Sequence, residues 1–112
     1  VDPADLHPSV ASLPNVTHLQ CKAEEIPRPL RPFHMLTNDI NVEPSESARI
    51  MIELADLLRK DGVAIMTVKF VTRNRKRHIQ ETIRILEEKY KDFKVKKLPH
   101  NRYETTIFMR KS

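Results

Sequence analysis

The fold is decided by the stretch Val63-Ala64-Ile65-Met66-Thr67-Val68-Lys69-Phe70-Val71, in which almost every residue is apolar. A strand covered on one face alternates between apolar and polar residues, whereas a strand covered on both faces is apolar nearly throughout. The stretch therefore predicts a central strand of a parallel sheet. In open sheets of this kind the functional crevice lies beyond the carboxyl ends of the strands, and Lys69 is near that end of this one.

Helices are predicted on both sides of this strand along the chain. Residues 44–60 carry apolar side chains at intervals of three and four, with Pro44 suited to the first turn and Gly62 to the stop after the helix. A second helix is predicted from about residue 75 to residue 90. Further strands are predicted at 16–21, 33–38, 93–98 and 103–109. This order predicts an α/β fold whose sheet is mostly parallel, with right-handed crossovers, and ends in a C-terminal antiparallel hairpin.

The length of 112 residues predicts one domain. Residues 1–32 read mostly as loop with one strand, because Pro27, Pro29 and Pro32 exclude regular helix around them. Residues 1–14 indicate at most a short helical turn. Residues 33–112 form the predicted α/β core.

The composition narrows the classes of partner. A net charge of +5 favours an anionic partner, with nucleic acid as the leading candidate. No apolar run approaches the roughly 18 residues needed to cross a bilayer, so no membrane partner is expected. Cys21 is the single cysteine, which excludes an internal disulfide and suits a reducing, cytoplasmic setting. The five histidines lack metal-ligand spacing, so we assign no metal site.

Glycine is scarce in this chain. Gly62 is the single glycine, and the chain does not begin with Met. A complete nucleotide-binding α/β domain needs a glycine-rich turn where its backbone meets the ligand. We therefore expect the chain to be part of a larger domain.

Three stretches carry a resemblance to a known family. They read Thr37-Asn38-Asp39-Ile40-Asn41-Val42-Glu43-Pro44, Ile65-Met66-Thr67-Val68-Lys69-Phe70 and Asn101-Arg102-Tyr103-Glu104-Thr105-Thr106-Ile107-Phe108. They are similar to the fourth strand, the fifth strand and the final hairpin of the FtsJ/RrmJ group of RNA ribose 2′-O-methyltransferases. That group has a Rossmann-like, class I methyltransferase fold, which binds S-adenosylmethionine on a seven-stranded sheet. The resemblance covers roughly residues 15–110.

The resemblance implies that Asp39, Lys69 and Glu104 are three members of the family's catalytic Lys-Asp-Lys-Glu tetrad. The first lysine of the tetrad and the glycine loop that grips the cofactor would lie upstream of Val1. The chain would then be the C-terminal half of a catalytic domain, and we expect it to be inactive by itself.

The resemblance also implies S-adenosylmethionine as the cofactor, held in part by Asp2, Glu24 and Asp39. The substrate it implies is RNA, with rRNA expected. The sequence after Asp39 lacks the small Ser and Gly residues often found there in the bacterial ribosomal enzyme, which leaves the identity of the RNA open.

The chemistry of methyl transfer suggests a role for each of the three residues. A ribose hydroxyl is a poor nucleophile at neutral pH and needs its proton accepted or stabilised. We expect Lys69 to act as the base or orienter of that hydroxyl, with Asp39 and Glu104 orienting the lysines. Each also has a structural interpretation: Asp39 could cap the following loop, Lys69 could reach solvent, and Glu104 could pair with Arg102 or Lys111.

A run of basic residues follows the strand that carries Lys69. Arg73, Arg75, Lys76 and Arg77, together with Arg102, are predicted to contact the phosphate backbone of RNA. Cations at the start of a helix oppose the helix dipole, which favours a binding role over that of a solvated helix terminus.

Other readings of the sequence stay open. A non-catalytic α/β module that binds RNA or a protein partner would have the same composition, whereas a methyltransferase for small molecules fits the lysines and the basic residues less well. If two strands of the parent sheet are missing, the strand ending at Asp39 is an exposed edge, and exposed edges pair with other chains. We therefore expect self-association, as a homodimer or by domain swapping.

Overall fold

A computed structural model describes residues 1–69, 75–99 and 103–112 of the chain. In this part of the chain, four strands form one sheet: β1 (Phe33–Asn38), β2 (Leu58–Lys69), β3 (Tyr90–Lys96) and β4 (Glu104–Lys111). Within the described ranges, three α-helices accompany them: α1 (Pro8–Ala11), α2 (Pro44–Leu54) and α3 (Arg75–Leu86). Short 3-10 turns lie at Ala23–Glu25 and Ala55–Leu57. The mixture of strands and helices follows the α/β class that the sequence predicts.

The strands lie in the order β1-β2-β4-β3. β1 is parallel to β2, whereas β4 is antiparallel to both β2 and β3. Strands β1, β2 and β3 therefore run in one direction and β4 runs against them. The predicted C-terminal hairpin is present as β3 and β4, but β4 inserts between β2 and β3. Among the described strands, only β1 and β2 are parallel neighbours, so the sheet is mixed rather than mostly parallel in its pairing.

Both long helices pack on one face of the sheet. Met66 and Val68 of β2 are fully buried on that face, in one cluster with Met51 of α2 and Leu86 of α3. The alternate residues of β2 are only half-buried, Ile65 among them. The apolar run predicts a strand covered on both faces, but within the described chain α2 and α3 cover only one. Each fully buried side chain of this size contributes about 1.5–3 kcal/mol to stability.

The boundary between α2 and β2 differs from the prediction. The helix ends at Leu54, and β2 already begins at Leu58, so Gly62 lies inside the strand and does not end a helix. The ladder with β1 shifts here, and Asp61 has a positive φ of 60°. A Cβ on Gly62 would come within 2.7 Å of Leu58 Cδ1 and 2.8 Å of the Arg59 carbonyl oxygen. Asp and Gly are common both where a helix ends and where a strand is irregular. The Asp-Gly pair therefore predicts the end of a helix when only the sequence is considered.

The predicted strand at 16–21 is wrong. Its backbone turns back on the chain start instead of joining the sheet: the Asp2 N–H donates to the Leu19 carbonyl at 3.2 Å, and His18 Nε2 donates to the Asp2 carbonyl at 2.8 Å. Alternation with β-branched residues favours an extended backbone, but a strand also needs a partner for its hydrogen bonds. The predicted helical turn before it is confirmed as α1.

The second helix ends earlier than predicted. It stops at Leu86, and Tyr90, predicted as its last residue, is the first residue of β3. The Tyr90 ring is buried, and its hydroxyl donates to the Met51 carbonyl of α2 at 2.6 Å. Within the described residues, no helix is both long and apolar enough to cross a membrane.

Candidate active site

Two strand ends bring Asp39 and Lys69 together. β1 and β2 are parallel, with Asn38 opposite Met66, so their carboxyl ends lie at the same edge of the sheet. Asp39 directly follows β1 and Lys69 ends β2. The Nζ of Lys69 lies 3.0 Å from Asp39 Oδ1 and 3.1 Å from the Asp39 carbonyl oxygen. The lysine therefore contacts both the side chain and the backbone of the aspartate.

Glu104 comes to the same edge from the antiparallel strand. It is the first residue of β4 and lies directly opposite Lys69 in the ladder. Residues so paired have Cβ atoms about 4.5–5.5 Å apart, on the same face of the sheet. The structure thus groups Asp39, Lys69 and Glu104 at one edge of the sheet, with Lys69 on the middle strand of the three. Their catalytic roles stay a prediction.

The exposure of the ion pair is uneven. The Lys69 side chain is 21% exposed, whereas that of Asp39 is 77% exposed. A pair with one solvated partner contributes about 0–1 kcal/mol to stability. The contact therefore holds the ammonium group in place more than it holds the fold together. A molecule that approaches this edge from solvent would meet the carboxylate first and the ammonium behind it.

Two buried polar residues lie next to the Asp39–Lys69 pair, and they are not among the site residues predicted from the sequence. Asn38 and Ser47 are 5% and 1% exposed, and Asn38 Nδ2 donates to Ser47 Oγ at 2.8 Å. The signal in the sequence is a polar residue at the end of an apolar run and another on the apolar stripe of a helix. Either feature alone is common at a strand end or near a helix start.

The other predicted cofactor residues lie elsewhere. Asp2 Oδ1 accepts the Ala4 N–H at 2.9 Å within the N-terminal loop. Glu24 lines a hollow of about 380 Å³ together with Ile52 and Leu57, at the C-terminal end of α2. Asp39 precedes the N-terminal end of that helix, which spans 11 residues and is therefore about 16 Å long. The structure does not bring Glu24 together with Asp39.

The predicted RNA-binding residues fall partly within the described chain. Arg75, Lys76 and Arg77 are exposed and form the first turn of α3, which holds no acidic residue. Arg77 Nε pairs with Glu81 Oε1 at 3.0 Å. Arg73 and Arg102 lie outside the described residues.

A second concave surface lies on the open face of the sheet. This hollow of about 580 Å³ is lined by residues such as Val63, Lys94, Phe108 and Arg110. Val63 pairs with Arg110 near the start of β2, several residues before Lys69. We place the candidate site at Lys69 rather than here, because the three motif residues converge at the carboxyl edge.

Comparisons with known proteins bear on the fold. No family model matches the chain, and no curated protein matches its sequence. A solved structure from Clostridium thermocellum, provisionally described as an rRNA methylase, is similar with a TM-score of 0.55 at 11% identity over 86% of this chain. A Bordetella parapertussis protein, provisionally described as exported, gives a TM-score of 0.58 at 14% identity over 82%.

These likenesses concern the fold, since both identities are low. The chain spans 60% of the length of the first protein and 43% of the second. The chain therefore has a mixed α/β fold similar to part of a protein described as a methylase.

Proposed function

We propose that the chain is the C-terminal portion of an S-adenosylmethionine-dependent methyltransferase of the FtsJ/RrmJ type, which methylates a ribose 2′-hydroxyl of RNA, with rRNA as the substrate. The observation that carries the proposal is the meeting of Asp39, Lys69 and Glu104 at the carboxyl edge of the sheet. The likeness in fold to a protein described as an rRNA methylase supports it.

Lys69 is the residue that would meet the hydroxyl. A lysine ammonium has three N–H donors. Two are directed at Asp39, one at the carboxylate and one at the carbonyl. We propose that the third holds the ribose oxygen. Glu104 lies opposite Lys69 in the ladder, and we propose that it helps to orient the lysine.

Asp39 has the second role at this edge. Its carboxylate is largely exposed beside the ammonium and suits a cationic ligand. When bound, S-adenosylmethionine supplies a methyl group on a positively charged sulfur. We propose that Asp39 contributes to holding that cofactor while it orients Lys69. Because in-line displacement depends on alignment, much of the catalysis at such a site is positioning.

The RNA would approach over the start of α3. Arg75 and Lys76 form an exposed basic surface in its first turn, and this helix follows β2 in the chain. We propose that these residues contact phosphates, together with Arg77 and, from outside the described residues, Arg73 and Arg102. Arginine and lysine at such a surface give affinity without sequence preference.

The decisive experiment has two stages. Calorimetry would measure S-adenosylmethionine binding to this chain and to a form extended upstream. Methyl transfer to RNA by the extended form would then be compared for Lys69→Ala and for Lys91→Ala. The second is a matched control, because Lys91 forms another Lys–Asp pair, with Asp61 at 2.7 Å. We expect Lys69→Ala to lose about 10²–10⁴-fold in rate and Lys91→Ala to retain it. Absence of binding by both forms would contradict the proposal.

One observation favours a second candidate function, that of a binding module. β1 is an edge strand of the described sheet, and its Phe33 and Met35 side chains are 51% and 56% exposed. Large apolar residues on an exposed edge invite pairing with another strand. We propose that a second copy of the chain pairs here to form a homodimer. If methyl transfer fails, a non-catalytic module that binds RNA or a protein becomes the better account.

A further inference from the structure

The buried amide of Asn38 is an unusual feature at the end of β1. The residue faces α2, opposite the fully buried Met66 in the ladder, and is itself 5% exposed. An amide in such surroundings is costly unless both of its ends are hydrogen-bonded. The identity of its partners therefore shows what the amide is for.

Both ends of the amide are satisfied, one by α2 and the other by the loop that follows β1. Nδ2 donates to Ser47 Oγ of α2 at 2.8 Å, and Oδ1 accepts the backbone N–H of Ile40 at 2.8 Å. Since a backbone N–H can only donate, the second contact identifies which end of the amide carries the oxygen. Ser47 is held in turn, because its N–H donates to the Glu43 carbonyl at 2.9 Å. The start of α2 thus anchors the amide.

Asp39 is the residue enclosed by these contacts. The bond from Asn38 Oδ1 to the Ile40 N–H closes a turn around it, as Asx side chains do. Its backbone orientation is therefore set by the buried amide. That orientation matters at the site, because Lys69 Nζ meets the Asp39 carbonyl as well as the carboxylate. The solvated ion pair alone contributes too little to hold the loop in this arrangement.

We propose that Asn38 and Ser47 are positioning residues, which hold Asp39 so that its Oδ1 and its backbone carbonyl oxygen set the direction of the Lys69 ammonium group. The inference rests on the proposed function in one respect, which is the role of the Lys69 ammonium group in methyl transfer. The arrangement under test consists of the hydrogen bonds of Asn38 to Ser47 and to the Ile40 N–H, which enclose Asp39, and of the contacts that Asp39 makes with Lys69.

The test measures hydrogen exchange at lysine ammonium groups by ¹⁵N-resolved NMR, without cofactor or RNA. Ser47→Ala removes the acceptor of the Asn38 Nδ2 donor, and Asn38→Ala removes both bonds of the amide. Lys91, paired with Asp61 at 2.7 Å, serves as the internal reference. Thr82→Ala is the matched control, because Thr82 is 1% exposed and its hydroxyl donates to the His78 carbonyl at 2.6 Å, inside α3.

We expect exchange at Lys69 to rise by about tenfold in Ser47→Ala, as for the loss of one ordinary hydrogen bond, and further in Asn38→Ala. Exchange at Lys91 stays unchanged in both, and Thr82→Ala changes neither lysine. If Asn38→Ala does not fold, Ser47→Ala decides alone.

Three results would overturn the inference. Exchange at Lys69 could stay the same in folded Ser47→Ala. It could rise together with that of Lys91, which would indicate general loosening. It could also rise equally in Thr82→Ala. None of these depends on catalysis, so failure of methyl transfer on Lys69→Ala remains a separate result.

Discussion

Lys69 meets Asp39 twice, at the carboxylate oxygen Oδ1 at 3.0 Å and at the backbone carbonyl oxygen at 3.1 Å. A contact to the side chain alone would follow the aspartate as it changes rotamer. A contact to the backbone holds only while the loop after β1 keeps its conformation. Because Lys69 makes both contacts, the position of its ammonium group depends on the conformation of the loop after β1 as well as on the charge of the Asp39 carboxylate.

Replacing Asp39 separates the effect of its charge from that of its backbone. Asp39→Asn keeps the carbonyl contact and removes the carboxylate charge. We expect methyl transfer by the extended protein to fall by about 10²-fold. The free energy of unfolding should change by less than about 1 kcal/mol, because the side chain is 77% exposed. Rate assays and chemical denaturation provide the two measurements. Asp61→Asn is the matched control, and equal rates for the two variants would count against a role for Asp39.

Glu104→Gln tests whether the glutamate acts on Lys69 or only supports the hairpin. The residue is half-buried at the start of β4, opposite Lys69. A role in orienting the lysine predicts a loss of at least about tenfold in kcat, since one hydrogen bond or charge contact is worth about that much, with the melting temperature little changed. A lower melting temperature with an unchanged kcat would show that the carboxylate has only a structural role.

RNA binding should depend on salt through the first turn of α3. Arg75→Ala and Lys76→Ala should each weaken binding of a single-stranded RNA and lower the slope of log K against log salt by about 0.7. Fluorescence anisotropy at several salt concentrations measures both quantities. Arg84→Ala, in the last turn of the same helix, is the control. Equal slopes for all three variants would place the RNA elsewhere.

Self-association should depend on the exposed residues of β1. We expect sedimentation of the chain to show a dimer whose population rises with concentration, and Met35→Lys to abolish it, because a charge on an edge strand prevents pairing. Leu30→Lys is the control, since Leu30 is fully exposed but precedes the strand. A monomer at every concentration in the unmodified chain would refute pairing through this edge.

Tyr90 should make the fold sensitive to alkali. Burial raises the pKa of Tyr90 above its ordinary value of 10.0. As the pH rises, the unfolded chain therefore loses this proton before the folded chain does, so stability is full below pH 10 and declines above it. Denaturation between pH 8 and 11 should show this decline, and Tyr90→Phe should flatten it while losing the bond to the Met51 carbonyl. An equal slope in both proteins would assign the decline to other groups.

The sequence predicts some of this structure well. The bounds of β1 at residues 33–38 agree with the structure, because the apolar run starts directly after Pro32 and ends at the polar residues Asn38 and Asp39. The grouping of Asp39 with Lys69 could be predicted too, since parallel strands end at one edge.

Other features could not be predicted, because they depend on contacts between elements. The sequence predicts Gly62 at the end of a helix, yet it lies inside β2, where there is no space for a Cβ atom. Residues 16–21 look like a strand, but the structure gives them no place in the sheet. The hydrogen bond between Asn38 and Ser47 depends on how β1 and α2 are placed against each other. A local sequence pattern carries no information on that placement.

The place of β4 in the sheet has a consequence for how the chain is made. β4 joins β2 to β3, although it is the last of the four strands to leave the ribosome. β1, β2 and α2 can associate as they emerge, whereas β3 has to wait for its neighbour. Synthesis that stalls before residue 104 would therefore leave the lysine-rich strand β3 without the strand to which it is hydrogen-bonded in the sheet. The sheet can therefore be completed only when the eight residues of β4 have been made.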